Sequence, residues 1–157
     1  MKKEYLNIYN NLIKLTRNKS LFKNLTNKET FSDRIILFFF HFGFFLKVFK
    51  NNKNKSEMQD IFDFIIRQIE LSIREIGYGD ASVNKKMKSY INVLFSIIDK
   101  IDRWEVIKEV EKRSIIEKNL DIDKNQGFYV NYFDNYYNYL TKNTLNNLSK
   151  DIINMKF

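Results

Sequence analysis

Cysteine and proline are both absent from the 157 residues, glycine occurs four times, and histidine and tryptophan once each. Without cysteine there is no disulfide, thiolate nucleophile or sulfur-based metal site, and nothing marks the chain as built for an oxidising compartment; a reducing cytoplasm is the expectation. With a single histidine, His41, a zinc cluster built on histidines is excluded, and a serine triad lacks both a nucleophile elbow and a choice of base. No phosphate-cradling G-x-x-x-x-G-K-[ST] series occurs. The carboxylates Glu57, Asp60, Asp63, Glu70 and Glu75 come with no H-E-x-x-H or E-x-x-H pattern and read as solvated groups. An enzyme is not expected, and neither is a cofactor or metal.

Long apolar runs are also scarce. The most membrane-like, Ile35 to Phe49, contains His41 and Lys47 and is shorter than the about 20 apolar residues of a spanning helix. It reads as a buried or interfacial helix. The N-terminus MKKEYLNIYNNLIKL has no long apolar stretch and is not expected to be a signal peptide.

What the chain does have is positive charge and aromatic rings. The net charge is +8, carried mainly by lysine, and 16% of residues are Phe, Tyr or Trp. Such a surface favours anionic partners, whether RNA, ribosome or acidic lipid headgroups, without choosing among them. The length suits one domain over residues 1–157.

Apolar spacing predicts helices throughout. Tyr5, Ile8, Tyr9, Leu12 and Ile13 share a face; a short helical turn follows near Leu21 and Phe22; Thr30 or Ser32 caps a central helix from Arg34 to Lys50. After the polar NNKNKS break, Met58, Ile61, Phe62, Ile65, Ile66, Ile69, Ile73 and Ile76 form a continuous stripe, and Gly77 then provides a left-handed stop. A helix capped by Ser82 then runs to about Ile101, with Met87, Tyr90, Ile91, Leu94, Phe95 and Ile98 inward and Lys85, Lys86 and Lys88 outward. Trp104 to Leu120 reads as one amphipathic segment, Asp121 to Phe128 as loop, Phe128 to Leu140 as an aromatic helix, and Leu145, Leu148 and Ile152 as the last helical steps. The expected fold is all-α, a bundle of about six helices.

Two features carry a choice between structure and function. Gly77-Tyr78-Gly79-Asp80 is explained by turn geometry, with a recognition surface of Arg74, Glu75, Asp80 and Lys86 as the functional alternative. Tyrosines 129, 132, 136, 137 and 139 would stack on single-stranded RNA if exposed, but Phe128, Tyr132, Tyr136 and Leu140 recur at core spacing. His41, in the most apolar helix, reads as a buried histidine bonded to a neighbour.

The segment DIFDFIIRQIELSIREIGYGDASVNKKMKSY resembles the signature of the ubiquinol-cytochrome c chaperone family, carried here by Phe62 and Asp63, Arg74 and Glu75, Gly77, Gly79 and Asp80, Val83, and Lys85, Lys86 and Lys88. Tyr9, Leu21-Phe22, Arg34 and His41 extend the resemblance backward, and Asn119-Leu120 with the tyrosine-rich segment extends it forward, so that it covers roughly Tyr9 to Leu120. Tyr78 stands where the family often has a small aliphatic residue. The resemblance implies an all-helical, non-catalytic assembly factor for respiratory complex III that binds cytochrome b or its assembly intermediate, near a ribosome and with a small helper protein. It also implies a location at the cytoplasmic face of the inner membrane of an alphaproteobacterium-like cell. A basic helical adaptor for ribosome or RNA, and a peripheral membrane protein inserting its Phe-rich helix, are the alternatives; DNA is not an expected partner.

Overall fold

The computed structural model describes residues 2–26, 30–51, 54–122, 125–150 and 157. The described elements are helices α1 (Lys2–Thr16), α2 (Phe31–Phe49), α3 (Lys55–Glu75), α4 (Asp80–Ile101), α5 (Glu109–Glu117), α6 (Gln126–Thr141) and α7 (Leu145–Lys150), with a 3-10 turn at Lys19–Leu21. Extended pairing among the described residues amounts to one antiparallel bridge, Leu25 with Ile122. The fold is therefore all-α, with one helix more than the spacing predicts.

α2 is the axis. Thr30 caps it by accepting from the Asp33 amide at 3.1 Å, so Ser32 lies inside the first turn and does not cap. Every residue from Ile35 to Phe45 is buried, because α1, α4 and α6 all pack on this helix and leave it no solvent face. Gly43 permits the close approach of α4: a Cβ there would lie 3.1 Å from the Ile101 side chain. Burying the phenylalanines in this way removes the surface that insertion into a membrane interface would need. Among the described residues no helix is long and apolar enough to cross a membrane.

α3 starts at its Asn54 cap, which accepts from the Glu57 amide at 2.7 Å, and of its predicted stripe it buries Met58, Ile61, Ile65, Ile69 and Ile73, while Phe62 and Ile66 are half-buried and Ile76, just past the helix, is exposed. α4 ends at Ile101 as expected but departs from expectation at its start. It begins at Asp80, with Gly79 in the cap position, so Ser82 is not the cap. Its core face overlaps the expected one at Met87 and Leu94 and adds Val83, Ile97 and Ile101; Tyr90, Ile91 and Ile98 are half-buried against the core, and Phe95 is 52% exposed. Trp104 to Leu120 is not one helix. Turns occupy residues 102–107, α5 begins only at Glu109, and Val110 is exposed, while Trp104 is buried with its indole N–H donating to Asp134 at 2.8 Å. The connection after α5 lies earlier than expected, since α5 ends at Glu117 and α6 already begins at Gln126.

The tyrosines of α6 belong to the core. Tyr129 donates to the Leu21 carbonyl at 2.7 Å, Tyr136 to the His41 carbonyl at 2.8 Å, and Tyr132 lies 2.7 Å from His41 Nε2. Burial pushes the Tyr129 hydroxyl up to about 12 and the Tyr132 and Tyr136 hydroxyls higher still, so all three stay neutral donors. α7 is held to α1, where Asn7 and Asn11 donate to the carbonyls of Ser149 and Leu148. Ile152 lies outside the described residues.

Candidate functional site: the corner between the third and fourth helices

Helix α3 ends because its last carbonyls are satisfied locally, with the Gly77 amide donating to the Arg74 carbonyl at 2.9 Å, and because Gly77 then turns to φ +106°. A residue with a Cβ is disfavoured in that left-handed region. Gly79 differs: its φ is −72° and ψ 165°, the ordinary extended geometry of a helix cap. The two glycines of the corner thus serve different purposes, one reversing the chain and the other opening α4 without a capping side chain.

Across this turn Arg74 acts as a clamp. Its guanidinium donates to the Asp80 carboxylate in the first turn of α4 and, at 3.2 Å, to Glu70 one turn back on α3. Asp80 is also well placed against the positive end of the α4 dipole. Hydrogen bonds from Arg67 and Arg74 hold the Glu70 carboxyl below its ordinary range, and Asp80 with Glu70 raises that of Arg74. Beneath the clamp, Ile73 and Val83 are fully buried. The partner of Arg74 on its own helix is therefore Glu70, not the exposed neighbour Glu75.

Above the clamp lies the basic surface. Lys86 places its ammonium 4.5 Å from the centre of the Tyr78 ring, a cation–π contact, and both side chains remain open to solvent. Lys85 and Lys88 are exposed. Lys88 also borders a shallow groove between α3 and α4 whose floor is Ile66, Met87 and Ile91, with Glu70 on its other side. Farther along the same pair of helices, Phe62 stacks on buried Phe42 at 5.9 Å and on exposed Phe95 at 6.0 Å, so a ladder of three rings runs from the core to the surface. Asp63 is exposed and accepts from Gln59 at 2.8 Å within α3.

The remaining residues singled out by sequence lie elsewhere. Arg34 is exposed near the start of α2, 5.9 Å from the Phe31 ring. His41 is fully buried, with Nδ1 2.7 Å from the Leu37 carbonyl and Nε2 2.7 Å from the Tyr132 hydroxyl. A carbonyl only accepts, so Nδ1 carries the proton and Nε2 accepts from Tyr132. Desolvation lowers the ring's pKa to about 4 against a smaller opposing effect of the Leu37 bond, and the imidazole is neutral with both nitrogens engaged. Among the described residues no group of three or more acidic, histidine or cysteine side chains is arranged to hold a metal.

Sequence reasoning missed Glu70 as the partner of Arg74 and gave Tyr78, though placed in the corner, no part in the recognition surface. The signal for Glu70 was available in the helical spacings Arg67–Glu70 and Glu70–Arg74. None existed for Tyr78, whose ring is fixed by Lys86 from the next helix.

The corner and the helices on either side of it fall within a match to the model of the ubiquinol-cytochrome C chaperone family, which covers residues 23–104, more than half of the chain. The chain belongs to that family. The matched region runs from before α2 to just past α4 and leaves α1, α5, α6 and α7 outside it. No curated protein and no solved structure matches the chain.

Proposed function

We propose that the chain is a non-catalytic assembly factor of the ubiquinol-cytochrome c reductase complex that holds cytochrome b, or an intermediate of its assembly, on the α3–α4 corner. Family membership supports the chaperone role. The observation that carries the choice of surface is the division of labour at the corner: Arg67 and Arg74 balance Glu70 and Asp80 in fixing its shape, while Lys85, Lys86 and Lys88 with Tyr78 are left facing outward. A cationic, partly aromatic surface on a rigid hairpin suits an acidic or loop segment of a membrane-protein client. Its place of action is the cytoplasmic face of the membrane that receives the client.

The test is co-purification of tagged protein from native membranes in mild detergent, with and without RNase, followed by mass spectrometry. Wild-type protein should recover cytochrome b in both samples. A variant with Lys85→Glu, Lys86→Glu and Lys88→Glu should keep its helical circular dichroism and melting temperature yet lose cytochrome b. Undiminished recovery by that variant would remove the client from this surface. Ribosomal proteins lost on RNase treatment, with no cytochrome b in either sample, would assign the chain to the adaptor role. The same experiment reads out any ribosome or small helper partner.

A further inference from the structure

On a different part of the molecule, α1, the start of α2 and the second half of α3 enclose a half-open cleft of about 170 Å³. Its walls are Tyr9, Ile13, Phe31, Ile35, Phe38 and Ile69. Of the three hydroxyl-bearing residues that line it, Thr16 and Ser72 are turned to their own helices, donating to the Leu12 carbonyl at 2.9 Å and the Gln68 carbonyl at 3.0 Å, which leaves the Tyr9 phenol as the one uncharged donor. The interior therefore offers a ligand little hydrogen bonding, and apolar contact is its main attraction.

The lining has two charges, and both are positive. Arg17 and Arg34 border the cleft and are exposed, and among the described residues neither is ion-paired, whereas Arg67, Arg74, Lys47 and Lys112 all meet carboxylates. Arg34 is held near the apolar wall by its contact with the Phe31 ring. The positive end of the α2 dipole adds to the same field. The nearest acidic residue on that helix, Asp33, accepts from the Thr30 hydroxyl at 2.7 Å and is not part of the cleft lining.

An apolar cavity of roughly 150 Å³ admits a benzene-sized group. The cleft thus has room for part of one hydrocarbon chain, not for the two chains of a glycerophospholipid. Two guanidinium groups at its border complement a carboxylate, which arginine binds through paired charge-assisted hydrogen bonds. We propose that the cleft between α1, α2 and α3 binds a fatty-acid anion, its acyl chain against Ile13, Phe38 and Ile69 and its carboxylate at Arg17 and Arg34. This site is independent of the client-binding surface at the corner, and purified protein suffices to test it.

The probe is decanoate, titrated calorimetrically below its micelle concentration, with acetate as the head group alone and decyl maltoside as the same tail without charge. Decanoate should bind once per chain, acetate should not bind, and decyl maltoside should bind at least about tenfold more weakly, because only the carboxylate engages the arginines. The double variant Arg17→Gln, Arg34→Gln changes exposed residues and should melt with the wild type while losing at least about tenfold in decanoate affinity. Ser72→Leu, which fills the cleft and keeps both arginines, should weaken decanoate as well. Failure of decanoate to bind the wild type, equal binding of decyl maltoside, or unchanged affinity in the double variant would each overturn the proposal. So would arginine-dependent binding to phosphatidylglycerol vesicles without decanoate binding, which would assign Arg17 and Arg34 to a membrane surface.

Discussion

His41 is buried as a neutral ring, and that arrangement makes stability depend on pH in a window where few other groups titrate. Its folded pKa of about 4 lies below the ordinary value of 6.5, so the unfolded chain binds the proton more readily. Stability from this residue is therefore fully present above the unfolded value and is lost as pH falls from there toward the folded one. Worked through for a single site, the loss between about pH 7.5 and about pH 5.5 is about 1.3 kcal/mol, reaching about 3 kcal/mol once pH falls below both values. Carboxylates such as Glu70, held low by Arg67 and Arg74, lose their own contribution only at more acidic pH, which leaves the upper part of the window to His41. The measurement is urea unfolding of the wild type and of His41→Gln at several pH values across that range. The variant should be less stable at neutral pH, because a buried network is disturbed, but the gap should narrow by about 1 kcal/mol on reaching about pH 5.5. A gap that stays constant with pH would show that His41 is not the titrating group and would refute the neutral, doubly bonded ring.

Tyr132→Phe should cost about 1–3 kcal/mol in the same assay at neutral pH, since it leaves His41 Nε2 buried without a donor; an unchanged midpoint would mean that this hydrogen bond is not made. Gly77→Ala should destabilise by about 1–2 kcal/mol from backbone strain alone, there being nothing within 4 Å to clash. Gly79→Ser should instead stabilise by a few tenths of a kcal/mol by adding a cap, and equal losses at the two glycines would contradict their separate roles. Along the ring ladder, Phe42→Ala should cost about 3–5 kcal/mol and Phe95→Ser about 1 kcal/mol; comparable losses in thermal unfolding would place Phe95 in the core after all.

Helix phase explains most of what sequence reading recovered. In α3 the apolar residues centre on one face, and Met58, Ile61, Ile65, Ile69 and Ile73 are inside as the spacing requires, with Phe62, Phe64 and Ile66 half-buried on its flanks. α2 has apolar residues all round and so demanded neighbours on every side. The stop at Gly77 was readable because few residues other than glycine tolerate its positive φ. α4 was different. Tyr90, Ile91, Val93, Leu94, Phe95, Ile97 and Ile98 wrap most of its circumference, and successive residues are about 100° apart, so choosing Ile97 over Phe95 depended on where α2, α3 and α5 lay. The break after Ile101 carries no glycine or proline. It is stabilised by Lys47 of α2, which donates to the Asp102 carbonyl and pairs with Glu105 at 2.9 Å.

The sequence by itself determined the all-helical character, the left-handed reversal at Gly77 and the burial of the Phe-rich segment, because each follows from local backbone sterics or from apolar periodicity within one segment. Tertiary structure alone decided which way Phe95 faces, and that Tyr129, Tyr132 and Tyr136 hydrogen-bond inside the core rather than offering a stacking platform. Those outcomes join residues from different elements of the fold, up to 108 positions apart in the chain. Periodicity within a helix shows that a face will be covered, but the residue that covers it is set only when the helices pack.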